Sequence, residues 1–366
     1  MADKNLLVPG TQATTLRDQN DTTVYNAVRV SLGLQRNDLG GRPRDEWQAL
    51  LSVEHERGKL EPNLTSLLPG TEIRPGSVAM TPYDRLPKPL ATFPYDWRLD
   101  IRFNARRLLE HLRANKPANG RWNLIGHSQG GIVIVLASHY TTHLEEFARL
   151  VARVVLVGCP IAGTQRALEA LAAGRGDFGE DPFLYDAARG MAQTWPALYQ
   201  MLPGWDSVVD PAGNPLPESK QVTRIGGYPG VWKRGMSEDL LERARETHKL
   251  MERPLAGFGP GVAALVVQGQ KQDTPTWLTR DGARLATTGN ARGSRFELDF
   301  GTTAGDTLVP SDETVKWAGR RYGELTLRIA GPVKAHAFLC DGKFVTRRIA
   351  EFLKDPAPAP PDTFGG

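Results

Sequence analysis

The 366-residue sequence predicts an α/β fold, a mostly parallel central sheet flanked by helices with inserted segments. Three observations predict it. Short apolar stretches rich in β-branched residues alternate with longer amphipathic ones, the order produced by a parallel sheet covered by helices. The strand-like "WNLI" at Trp122 to Ile125 passes through one tight, glycine-flanked turn into the apolar, helix-length "GGIVIVLASHY". Two long irregular stretches interrupt the alternation without contributing to it, as lids and binding elements do.

Taken in order, "NLLVPG" reads as a strand ending in a Pro-Gly turn. A first insertion follows over residues 12–93 and contains the Pro-rich "IRPGSVAMTPYDRLPKPLATFP". "FNARRLLEHLRAN" places Phe103, Leu108, Leu109 and Leu112 close to one helical face. "WNLI" is a strand, "GGIVIVLASHY" a buried helix and "ARVVLVGCP" a strand. A second insertion, residues 163–260, combines helical patches with "DPAGNPLPESK". "GVAALVVQG" and "GELTLRI" are strands, with the β-like "SRFELDF" between them, and "KFVTRRIAEFL" is a closing helix. The domain therefore spans residues 1–354, and the Pro-rich tail 355–366 cannot bury anything and is expected to be disordered.

Composition narrows the function. Hydrophobic residues make up 40% of the chain, enough to fill a sizeable core. Two cysteines, Cys159 and Cys340, cannot make a disulfide framework, no Cys/His cluster has metal-ligand spacing, and both thiols are expected to be buried small hydrophobes near the active-site end of the sheet. No metal and no cofactor are implied. The net charge of +4 comes from arginines scattered among acids, an ordinary solvated surface, so nucleic acid is excluded as a partner. No apolar run reaches the roughly 20 residues of a membrane span. A transient membrane-surface contact stays compatible with the sequence, and oligomeric state is not readable from it. The N-terminal residues lack the pattern of a signal peptide, so the expected location is cytoplasmic unless a leader was removed.

The turn after "WNLI" is "GHSQG", a match to G-x-S-x-G, in which a strand bends sharply into a helix and presents a serine hydroxyl above the sheet. Ser128 is the candidate nucleophile. A serine at its ordinary pKa needs a histidine to take its proton and an acid to orient that histidine, in the chain order Ser, acid, His. His139 and His143 are expected on the helix that Ser128 begins, about three or four turns from it, and cannot fold back to it. His248 stands in a charged amphipathic stretch and is expected at the surface. His336, in the loop between the last strand and the closing helix, is the expected base. Asp306, in a Gly-containing turn of "TTAGDTLVPSDETV", is the expected acid; Asp312 and Glu313 compete but look like the N-cap and first turn of a short helix. The oxyanion donors are expected to be the backbone N–H of Gln129, next to the nucleophile, and that of Thr11, in the loop after the first strand.

"LLVPG", "FPYDWRLD", "IGHSQGG", "GCPIAGT", "WPALYQMLP", "GDTLVP" and "AHAFL" resemble, in that order, landmarks of the lecithin:cholesterol acyltransferase-like α/β-hydrolases. The resemblance implies an α/β-hydrolase fold, a triad of Ser128, Asp306 and His336, and a supporting role beside the active site for Asp96, Trp97 and Arg98, with Asp96 and Arg98 as a buried ion pair. Lipid-acting members are typically secreted or lysosomal with a disulfide clipping a membrane-binding segment; here no leader is expected, and the two cysteines do not suit that disulfide.

The expected function is a serine hydrolase of carboxylic esters with hydrophobic acyl groups, of lipase or esterase type and with phospholipase-like character in range, its substrate a small-molecule or lipid ester. An O-acyltransferase of the same chemistry is the alternative, and a catalytically silent lipid-binding or scaffolding protein on the same fold is the second. The aromatic- and Met-rich stretch from Asp181 to Asp206 is expected to cap the site, with Trp195, Tyr199 and Leu202 against the acyl chain.

Overall fold

The computed structural model describes residues 3–25, 44–54, 59, 71–141, 144–173, 185–205, 207–210, 212, 214–216, 235–252, 258–270, 272–287, 294–305, 326–330 and 336–354. Strand β1 (Lys4–Val8) is followed by β2 (Thr14–Arg17), β3 (Thr23–Tyr25), α1 (Arg44–Leu51), β4 (Arg74–Val78), a 3-10 turn at Thr81–Tyr83 and β5 (Leu90–Thr92). Then come α2 (Ile101–Ala114), β6 (Trp122–His127), α3 (Gln129–His139), α4 (Leu144–Leu150) and β7 (Val151–Val157). The next stretch carries α5 (Gln165–Ala173), α6 (Tyr185–Ala192), α7 (Pro196–Gln200), β8 (Val208–Val209) and α8 (Glu238–Glu252). The chain continues with β9 (Ala263–Gln270), β10 (Gln272–Thr287), β11 (Ser294–Gly305), β12 (Thr326–Ala330), a 3-10 helix at His336–Asp341 and α9 (Lys343–Lys354).

Six strands form the central sheet in the order β12-β9-β7-β6-β1-β5, every neighbouring pair parallel. A parallel sheet is covered on both faces, which explains why β6 and β7 read as continuous apolar runs and not as alternating patterns. All six residues of β6 are buried. Helix α3 is buried from Gln129 to Ser138, consistent with a segment that is apolar all round. On α2 the buried face consists of Ile101, Asn104, Ala105, Leu108, Leu109 and Leu112, and Phe103 lies at its edge, half-buried.

From β1 the chain adds β5 on one side and then crosses to β6 on the other, so the strand order reverses between β1 and β6. Ligand crevices in open α/β sheets form outside the carboxyl ends of the strands at such a reversal. The residues that leave those two ends are Pro9 to Thr11 and Ser128.

The insertions fold on their own terms. The first contains the antiparallel sheet β3-β2-β4. The second contains α5 to α8 and β8, which pairs with β10. "SRFELDF" falls in β11, and that strand is half of a long hairpin with β10, outside the central sheet. The sequence conceals β10 because Pro275 and several charged residues break its alternation, and the ladder itself slips register between Pro275 and Trp277 and between Leu278 and Ala283. The hairpin nevertheless closes, with Gly305 opposite Gln272, next to the end of β9.

Candidate active site

Ser128 occupies the step from β6 to α3 with φ 52° and ψ −129°, a backbone conformation that L-residues seldom adopt. Holding a serine there costs about 1–3 kcal/mol, which the surrounding packing must overcome. That packing requires glycine on both sides. A Cβ on Gly126 would stand 2.7 Å from Gly131 Cα, and one on Gly130 would stand 2.1 Å from the Val8 carbonyl oxygen. Serine at a helix N-cap ordinarily turns its hydroxyl onto the helix's own N–H groups. Ser128 makes no such bond. Its hydroxyl is therefore not engaged in capping the helix it begins.

The loop after β1 is gripped from several sides. The Tyr95 hydroxyl donates to the Pro9 carbonyl at 2.8 Å, the Gly10 N–H donates to the Tyr83 hydroxyl at 3.1 Å, and the Trp97 indole N–H donates to the Thr14 carbonyl at 3.1 Å. Thr11 itself reaches the elbow, its hydroxyl donating to Gln129 Oε1 at 2.9 Å. The two expected oxyanion donors therefore belong to residues whose side chains are bonded to each other.

His336 is buried at the start of the 3-10 helix, where its ring stacks on His127 with centroids 5.1 Å apart and an interplanar angle of 29°. His127 Nε2 lies 3.2 Å from the His336 carbonyl oxygen. The expected base is thus held against the residue that precedes the expected nucleophile. Asp306, with its competitors Asp312 and Glu313, lies outside the described residues, as do His143 and the tail.

His248 corrects an expectation. It is half-buried in α8 and not on the surface, its Nε2–H donating to the Gln200 carbonyl at 3.1 Å, and burial pushes its pKa down to about 4. Cys159 and Cys340 are both buried and outside any disulfide.

Asp96 and Arg98 form a buried ion pair of 2.6 Å, and the Arg98 guanidinium also donates to the carbonyls of Leu50 at 3.1 Å and Leu51 at 3.0 Å, at the end of α1. Trp97 packs edge-on against Tyr25 and Trp195, at 5.2 and 5.1 Å between centroids. The motif joins the first insertion, the loop after β1 and the second insertion.

Trp195, Tyr199 and Leu202 are all buried. The Trp195 indole N–H donates to the Leu51 carbonyl at 2.7 Å, and the Tyr199 hydroxyl donates to the Gln193 carbonyl at 3.0 Å while accepting from Ser237 N–H at 3.0 Å. These rings fill space between the insertions and the sheet, and an acyl chain would touch them only by displacing their present neighbours.

Sequence reasoning missed Tyr83, Tyr95 and His127. Tyr83 lies in the first insertion, far from the elbow in sequence and with no local pattern to mark it, and Tyr95 stood inside the quoted "FPYDWRLD", where only Asp96, Trp97 and Arg98 were singled out. His127 stood inside the quoted motif, at a position where the pattern accepts any residue.

The family model Lecithin:cholesterol acyltransferase matches residues 83–224, a segment that runs from the end of the 3-10 turn through the elbow into the second insertion. Across that segment the chain is similar to this family. The match supports an enzyme that acts on lipid esters, as hydrolase or as acyltransferase. Among curated protein sequences none matches this chain.

Among solved structures, the Tle4–Tli4 complex contains a chain with 14% identity and a TM-score of 0.58, the alignment covering 96% of this chain and 98% of that one, and it shares the fold. The lipase BlEst2 from Bacillus licheniformis in propeptide form has 13% identity over 98% of this chain and 51% of its own, with a TM-score of 0.37. Phospholipase PlaB from Legionella pneumophila has 11% identity over 82% of this chain and 50% of its own, with a TM-score of 0.33. Among the described residues no helix is long and apolar enough to cross a membrane, and no group of three or more His, Cys, Asp or Glu could hold a metal ion.

Proposed function

We propose that the chain is a serine hydrolase of hydrophobic acyl esters. The observation that carries this reading is Ser128 itself, held at positive φ, not capping its helix, and adjacent to the histidine on which His336 is stacked. In the proposed reaction His336 removes the Ser128 proton as the oxygen attacks the ester carbonyl. The backbone N–H groups of Thr11 and Gln129 receive the oxyanion, the first turn of α3 adding its favourable dipole. Collapse of the tetrahedral intermediate expels the alcohol, which takes the proton from His336. Water then attacks the acyl-enzyme by the same path and releases the acid.

Asp306 is the proposed partner of His336. The support is topological: residue 305 is brought back beside the end of β9, whose carboxyl end belongs to the same edge of the sheet as Ser128, and Asp306 is next in sequence. The burial of Trp195, Tyr199 and Leu202 supports a role for them in shaping the cap from behind. An alcohol in place of water in the second step would make the protein an acyltransferase.

The test is a panel of p-nitrophenyl esters from acetate to palmitate, with and without a small alcohol, together with fluorophosphonate labelling. Turnover that rises with acyl length and labelling at Ser128 are expected. Labelling that persists in Ser128→Ala would put the nucleophile elsewhere, and absence of both labelling and turnover of any ester would point to the silent lipid-binding alternative. Ester product formed from the added alcohol in preference to free acid would make the transferase the primary activity.

A further inference from the structure

Four groups beside Ser128 are linked by three hydrogen bonds, and with His127 neutral these run in one direction only. At one end the Gly10 N–H can only donate, and it points to the Tyr83 hydroxyl oxygen at 3.1 Å. At the other end the His336 carbonyl can only accept, and it lies 3.2 Å from His127 Nε2. Nε2 must therefore carry the ring proton of a neutral His127. That leaves Nδ1 as an acceptor, and the Tyr83 hydroxyl, 3.0 Å away, donates to it. Burial pushes the Tyr83 hydroxyl far above its ordinary range, so it keeps the proton this arrangement requires.

The packing leaves His127 no alternative place. A Cβ on Gly10 would come within 3.0 Å of both His127 Nδ1 and Ser128 Cβ, so the ring lies directly on the backbone of the loop after β1. The ring also makes an edge contact with Tyr83 at 5.6 Å and the stacked contact with His336 at 5.1 Å. Gly10 precedes Thr11, and the His336 carbonyl belongs to the same residue as the expected base.

We propose that His127 is a positioning residue that fixes the backbone of His336 and the Gly10–Thr11 loop relative to each other through the chain Gly10, Tyr83, His127, His336. The proposal rests on the hydrolase reading above. It makes His127 the brace between the base and one oxyanion donor, on a route separate from the bond between His336 and its acid. His127 exchanges no proton with substrate. Its contribution is placement, and misplacement of reacting groups by an ångström is enough to lower a rate by about a hundredfold.

The test compares wild type with His127→Phe, His127→Gln and Tyr83→Phe, measuring kcat and KM on a p-nitrophenyl ester, the rate of fluorophosphonate labelling of Ser128, and Tm. Phenylalanine keeps the ring without either nitrogen. Glutamine places an amide N–H near the position of Nε2. His127→Phe is expected to lower kcat by roughly 10- to 100-fold and slow labelling in parallel, with KM changed less than about twofold. His127→Gln should recover most of the loss. Tyr83→Phe, which removes a single oxygen, should lower kcat several-fold at unchanged KM, and it decides the matter if His127→Phe does not fold.

Wild-type kcat and labelling in both His127→Phe and Tyr83→Phe would overturn the positioning role and leave the nucleophile assignment intact. Glutamine no better than phenylalanine, or losses that follow Tm and restore on cooling, would also overturn it by showing a role in packing alone. A wild-type protein that neither turns over esters nor labels at Ser128 would remove the hydrolase reading and this proposal with it.

Discussion

Thr11 and Gln129 are bonded side chain to side chain across the two loops that leave β1 and β6, at 2.9 Å between the threonine hydroxyl and Gln129 Oε1. The other end of the Gln129 amide donates to the Trp97 carbonyl at 3.0 Å, which fixes the orientation of the amide. The bond holds the two proposed oxyanion donors at a set separation. Thr11→Val keeps the volume and removes the donor, so it should lower kcat for ester hydrolysis about tenfold while Thr11→Ser stays close to wild type. Steady-state kinetics on an activated short-chain ester check this, and equal rates for Val and Ser would detach the side chain from the oxyanion geometry.

The second glycine after the nucleophile is a packing requirement. A Cβ at Gly131 would stand 1.8 Å from Cys159 Sγ and 2.9 Å from its Cβ, so α3 lies on the end of β7 with no room for a methyl group. Gly131→Ala is expected to destabilise by about 1–3 kcal/mol, as overpacking of a well-filled core does. Cys159→Ala removes the sulfur and should recover a large part of that loss, giving a coupling of about 1 kcal/mol or more in a double-mutant cycle by denaturation. Strict additivity would show that the sulfur is not the obstacle. Because Cys159 acts here by volume, Cys159→Ala alone should leave esterase turnover within a few-fold.

Much of this architecture was legible because its signals are local. "WNLI" followed by an all-apolar helical segment can only be a central strand and a covered helix, and G-x-S-x-G at their junction marks the tight turn between them, where Ser128 has positive φ. The expectation that His336 is the base rested on chain order and on its place between the last strand and the closing helix, and the structure sets its ring against His127. What stayed hidden depends on contacts between residues far apart in sequence: Tyr83 on His127, Tyr95 on Pro9, Trp195 on Leu51. The aromatic density near Trp195 was visible, but sequence does not tell an aromatic side chain that lines a pocket from one that fills a seam. The β10–β11 hairpin was missed for the opposite reason, since its first strand lacks the alternation that marks a half-buried strand.

His248 offers a pH signature. Burial holds its folded-state pKa at about 4, opposed by its hydrogen bond to the Gln200 carbonyl, against an ordinary value of about 6.5 in the unfolded chain. Between those values the unfolded state binds a proton that the folded state does not, so stability rises with pH. The contribution is complete above pH ~6.5 and lost as pH falls towards ~4, at up to roughly 1.4 kcal/mol per unit. Wild type should therefore lose roughly 3 kcal/mol more than His248→Gln over that window, measured by urea denaturation, with the gap constant below it. Parallel profiles for the two proteins would show that His248 titrates alike in both states.

The Leu51 carbonyl at the end of α1 accepts from two directions, from Arg98 at 3.0 Å and from the Trp195 indole at 2.7 Å. One donor belongs to the motif beside the loop after β1 and the other to the second insertion, so a single backbone oxygen ties three parts of the molecule together. The two donors are not equivalent. Arg98 is an ionised group with both its charge and its Asp96 partner buried, and lysine cannot reproduce its fork onto a carboxylate and two carbonyls at once. Arg98→Lys should cost about 3–5 kcal/mol, because a buried carboxylate is left poorly compensated. Trp195→Phe keeps most of the ring against Trp97 and loses one neutral hydrogen bond whose acceptor still has Arg98, so about 1 kcal/mol is expected. Trp195→Ala removes the ring as well and should cost about 3–5 kcal/mol. If Trp195 acts from behind the cap, Trp195→Phe should change kcat/KM for acetate and octanoate esters by the same factor. A selective loss for the longer ester in a protein of near wild-type stability would instead put Trp195 in contact with the acyl chain, and would mean that the cap opens far enough to expose it.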